Sequence, residues 1–69
     1  MTPKRKQALQ WFADQGEIEC KKGRQEAPCT IQMIRLMLDD RQILGSERKG
    51  VWYYTVTDKG RRMLHGYAK

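Results

Sequence analysis

Six consecutive residues, Val51 to Val56 (VWYYTV), are β-branched or aromatic, and TDKG follows them without a spacer. Such side chains fit a pleated, half-buried surface better than a helix, so the run reads as a strand. The preceding LGSERKG supplies its partner. Gly45 and Ser46 break helical register, and ERKG makes a charged hairpin tip in which Gly50 takes positive φ. Alternation along the strand puts Trp52, Tyr54 and Val56 on one face and Val51, Tyr53 and Thr55 on the other. One set covers the helices, and the other leaves Tyr53 available to the hairpin or to a ligand. Thr57 then caps a short helix, TDKGRRMLHGY, with Asp58 at the positive end of its dipole and Met63 and Leu64 turned inward. Gly60 permits close backbone approach there.

The rest of the chain carries helix punctuation. In TPKRKQALQWFADQG, Thr2 is the cap, Pro3 suits the first helical position and Gly16 suits the left-handed residue that ends a helix. Ala8, Leu9, Trp11 and Phe12 form its buried side. Lys4, Arg5 and Lys6 crowd the first turn, where the dipole disfavours cations, and either serve a ligand or form a solvated charge run. A second helix covers TIQMIRLMLDDRQI, residues 30 to 43. Ile31, Ile34 and Leu38 cluster as its core side, with Met33 and Met37 widening the apolar sector. Gln32, Arg35, Asp39 and Gln42 make its polar face, while Leu36 falls away from the core and marks a contact surface.

Between these helices, GEIECKKGRQEAPC is glycine-containing and polar. EIEC suits a short strand with Ile18 and Cys20 facing inward, and KKGR suits an exposed basic turn. The expectation for residues 17–29 is an irregular connection, or at most one helical turn.

Length and charge bound the function. The 69 residues, read as one domain (1–69), are near the lower limit for a core that folds without metal or disulfide. A net charge of +6 points to a polyanionic partner, nucleic acid before a membrane surface. No apolar stretch approaches the roughly 20 residues of a spanning helix and no signal-type apolar region follows Met1, so the expectation is a cytoplasmic chain. Cys20 and Cys29, with His65 the only other soft ligand, lack the number and spacing of a zinc site. Both read as reduced, mostly buried thiols. His65 has no evident nucleophile or carboxylate partner and no phosphate-binding glycine loop is present, so neither catalysis nor a cofactor is expected.

The order is thus helix, connector, helix, hairpin, helix: an α+β chain. The run from Met33 to Leu64 resembles the second half of winged helix-turn-helix DNA-binding domains, in a reduced, small version. In that family a helix ending in L-x-x-x-x followed by two hydrophobic residues leads into a wing, here LDDRQIL (38–44). A Y-x-[LV]-T-x-x-G-R-x-x-[LM] run closes the fold, here YTVTDKGRRML (54–64). The resemblance implies a small winged helix with a two- or three-stranded wing. Residues 17–29 depart from the pattern, because the family has a complete helix there.

What the resemblance implies for function is double-stranded DNA binding, as a transcriptional regulator or an architectural or phage accessory factor. The helix from Thr30 would be the recognition helix, with Thr30, Gln32 and Arg35 exposed in its first half. Gln32 would pair with an adenine edge and Arg35 with a guanine edge, each bidentate contact being worth about 1–3 kcal/mol of discrimination. Lys21, Lys22 and Arg24 would meet phosphates beside it, and Arg48 and Lys49 would do so from the wing tip. The alternative is a protein-interaction module, an adaptor or inhibitor, docking or forming a homodimer through Leu36, Met33 and Met37. Monomer and homodimer stay open.

Overall fold

The computed structural model describes residues 2 to 65; the expected extension of the last helix through Gly66 and Tyr67 lies outside them. The elements are α1 (Pro3–Gln15), β1 (Glu17–Glu19), α2 (Cys20–Glu26), α3 (Ile31–Asp39), β2 (Ile43–Arg48), β3 (Val51–Val56) and α4 (Asp58–Leu64). The strands form one antiparallel sheet in the order β1-β3-β2. Helices followed by a β-hairpin, with a short first strand returning to the sheet, give an α+β fold with the layout of a small winged helix.

The termini of α1 follow its sequence signals. The Arg5 N–H donates to Thr2 Oγ1 at 3.2 Å, Pro3 opens the first turn, and Gly16 ends the helix at φ 74°. Ala8, Leu9 and Phe12 are buried, and Trp11 packs half-buried against them. Phe12 is the centre of an aromatic stack, edge-on to Trp11 at 5.0 Å and to Tyr54 of β3 at 5.7 Å between ring centroids. Ile18, Ile34, Met37, Ile43 and Val56 complete the core.

Residues 17–29 correct the sequence reading. EIE is the expected short strand, with Ile18 paired to Tyr54, but a seven-residue helix follows it in place of a loop. Gly23, read as a turn glycine, lies buried inside that helix. A Cβ on it would stand 3.1 Å from a Tyr54 ring carbon and 3.3 Å from one of Phe12. The missing side chain is what lets α2 lie against both rings, and that packing outweighs the poor helix propensity of Gly23 itself.

α3 ends at Asp39, four residues short of expectation. Arg41 adopts φ 59°, its N–H donates to the Leu38 carbonyl at 3.0 Å, and the Gln42 N–H donates to that of Met37 at 2.9 Å. This is the paired hydrogen-bond pattern of a left-handed helix stop, with arginine where glycine is usual. The stop turns Gln42 inward. Expected on a polar face, it is fully buried, and its side chain accepts from Arg5 Nε at 2.9 Å and donates to Met63 Sδ at 2.9 Å. Its carbonyl accepts the N–H and hydroxyl of Thr57, at 3.0 and 3.1 Å. Gly60 presses on the same carbonyl so closely that a Cβ would lie 2.3 Å from its oxygen.

Candidate nucleic-acid interface

α3 has a buried stripe centred between Ile34 and Met37, with Met33 and Leu38 on its flanks. That centring corrects two expectations. Met37 is fully buried and forms no interaction surface, and Ile31, expected in the core, lies 56% exposed, while Met33 is half-buried against the core. At about 100° per residue Ile31 sits about 90° from the stripe's centre, at the edge of the solvent face. The exposed face carries Gln32, Arg35, Leu36 and Asp39. Thr30 is exposed too, but its hydroxyl caps the helix by accepting from the Met33 N–H at 3.1 Å. Arg35 and Asp39 cancel in charge, so α3 offers hydrogen-bonding groups and an apolar Leu36 in place of a cationic stripe.

Cations come from the neighbouring elements. Lys21, Lys22 and Arg24 are all exposed on α2. Arg24 lies close to the Tyr54 phenol, and Tyr54 to the Cys20 thiol. Burial raises the pKa of Tyr54 above its usual range, with Arg24 pulling the other way. Burial likewise raises Cys20, opposed by the nearby Tyr54 hydroxyl, and raises Cys29. Both thiols therefore stay protonated at neutral pH, the form that neither attacks nor ligates. Among the described residues, no three His, Cys, Asp or Glu side chains come together as a metal site.

At the hairpin tip the turn residues are Lys49 and Gly50, at φ 53° and 81°, the pair of positive angles that a two-residue hairpin loop requires. Lys49 projects there as an exposed cation. Arg48 is drawn elsewhere. Its guanidinium lies over the Tyr53 ring, 4.8 Å from the centroid, and forms an ion pair with Glu17 of β1. Arg48, Tyr53 and Glu17 thus cross the outer face of all three strands, and Tyr53 is engaged by the hairpin, one of the two uses expected for it.

The hairpin's free aromatic is Trp52, 55% exposed. It shares a face with Tyr54 and Val56, as alternation requires, but its cross-strand partner is Glu47, and Gly45 stands opposite Tyr54. On this face of β2 the apolar cover stops after Ile43, and that was the sequence signal available for Trp52. An open groove of about 550 Å³ runs between α2 and this face, walled by Lys21 and Arg24 on one side and Trp52 on the other, with Leu38 and Tyr54 at its floor. Lys22, Gln32, Arg35 and Lys49 lie outside it.

No protein-family model and no curated protein matches this sequence. No helix among the described residues is long and apolar enough to cross a membrane.

Proposed function

We propose that this chain binds double-stranded DNA, with α3 as the helix that enters the major groove, in a regulatory or architectural role. The observation that carries the reading is the winged-helix layout with Gln32 and Arg35 exposed on α3, together with exposed cations on α2 and Lys49 at the hairpin tip. Gln32 and Arg35 offer the donor patterns that read adenine and guanine edges. Lys21, Lys22 and Arg24 supply the charge that holds phosphates, and Lys49 adds a cation from the wing. Asp39 and Asp40 keep the C-terminal end of α3 away from the backbone, so docking uses the first half of the helix. The net charge of +6 supports association with a polyanion and makes it salt-dependent.

A second reading has an observation of its own. Leu36, 49% exposed on the solvent face of α3, suits a protein partner or a second copy. Fluorescence anisotropy with a randomised duplex pool separates the two. DNA binding predicts a log–log salt slope of about −4 for four or five phosphate contacts, and an affinity loss of roughly tenfold in Arg35→Ala. No binding at low salt removes the DNA reading and leaves the Leu36 surface to protein capture.

A further inference from the structure

Trp52 has no task in duplex docking through α3, yet it is a large exposed indole on the helix-facing side of the hairpin. Its surroundings narrow what it meets. The six-membered ring lies beside Gly45, whose missing side chain keeps the groove floor flat; a Cβ there would be 3.7 Å from the indole Cε3. Across the groove stand two cations, Lys21 and Arg24, against one carboxylate, Glu19. Arg24 lies close to the Tyr54 phenol in the groove lining and has N–H donors to offer a ligand. The volume of about 550 Å³ falls among clefts that take small ligands, and an open trough of that size suits a base or two better than a helix about 10 Å across.

A flat apolar platform in one groove with two cations matches a ligand with a planar ring on one side and an anion on the other. We infer that the groove between α2 and the hairpin binds unpaired nucleotides next to a duplex, stacking a base on Trp52 and holding its phosphate with Lys21 and Arg24. Stacking on an aromatic side chain is tolerant of base identity, because every base presents a π-face. An acidic peptide would satisfy the cations but leaves the flat indole without a matching ring. The inference rests on the duplex-binding reading for the double-stranded arm of the ligand, and the chain would accordingly prefer ends, gaps or junctions to continuous duplex.

The test uses the full chain with three labelled DNAs: a blunt duplex, the same duplex with a short single-stranded overhang, and the overhang strand alone. The expected result is about tenfold tighter binding of the overhang duplex than of the blunt one. Trp52→Ala removes that advantage and leaves blunt-duplex affinity unchanged, while Trp52→Phe, with a smaller ring, retains part of it. Circular dichroism checks that both variants are folded. Equal affinity for the two duplexes, or an advantage that survives in Trp52→Ala, overturns the inference. So does quenching of the Trp52 emission (taken as the difference from Trp52→Ala) by a glutamate-rich peptide and not by the overhang strand. The two readings fail separately. Arg35-dependent binding of blunt duplex with no gain from the overhang sinks the groove alone. Trp52-dependent binding of the strand without blunt-duplex binding sinks α3 docking alone, and no binding to any of the three sinks both.

Discussion

The Gln42 node and the α2–hairpin groove are both built from polar and apolar groups side by side, but they resolve the mixture in opposite ways. At the node every group is answered from inside. Arg5 Nε donates to the Gln42 side chain, its terminal nitrogen reaches the Leu36 carbonyl at 3.0 Å and pairs with Asp40, and Thr57 closes on the Gln42 carbonyl. In the groove an indole and two cations face solvent over Leu38 and Tyr54. The first arrangement stabilises, and the second leaves interaction capacity unspent. A chain of 69 residues has little core to spare, so separating the two tasks by region keeps ligand-facing residues from weakening the fold.

The contrast breaks most visibly at Gly60. Gly60→Ala would put a Cβ 2.3 Å from the Gln42 oxygen and 2.9 Å from a Val56 methyl, neither of which is a flexible side-chain end. A loss of about 3 kcal/mol in unfolding free energy is expected by urea titration, because α4 must back away from the node. Arg5→Ala comes next, at about 2 kcal/mol, since it removes a charge-assisted hydrogen bond to the buried Gln42 oxygen and a cation from the C-terminal end of α3. Arg41→Gly acts in the other direction. Relief of the positive φ, set against the extra chain freedom of glycine, leaves a net gain below about 1 kcal/mol, read as a small rise in Tm. In the groove, Trp52→Ala is expected to change stability by no more than about 0.5 kcal/mol, as exposed substitutions do. A loss comparable to that at Gly60 would show that the two regions are not separate.

Local chemistry made parts of this legible from sequence. Thr2, Pro3 and Gly16 bound α1, Thr57 caps α4 through the Gly60 N–H at 3.1 Å, and the hairpin turns where the glycine after ERK permits. Ala8, Leu9 and Phe12 were readable as core because their spacing is helical. What stayed hidden depended on partners distant in sequence. Gly23 reads as a loop breaker until Phe12 and Tyr54 close on it, and α3 reads through to residue 43 until Arg41 takes a conformation that its side chain does not advertise. Gln42 is polar by composition and buried by geometry, a status granted by Arg5 and Met63 from opposite ends of the chain. In the candidate interface, the exposure of Gln32, Arg35 and the α2 cations was readable. Met37 was misassigned because a wide apolar sector does not reveal where its centre lies. Trp52 was missed because a strand's alternation gives the face and not how far along it the cover extends.

β3 is the only strand that pairs with both others, Glu17 facing Thr55 on one edge and Ile43 facing Val56 on the other. It also follows both of its partners in sequence. While the chain leaves the ribosome, α1, β1 and α2 emerge with Phe12 uncovered and β1 lacking any neighbour, and they must wait for residues 51–56 before a sheet exists. Folding is therefore a single late event of whole-chain closure, with long loops to close first and a correspondingly slower rate than a helical bundle of equal length. A nascent chain stalled before Val51 would present its apolar stack to chaperones and proteases, which makes the aromatic strand the step that commits the molecule to its folded life.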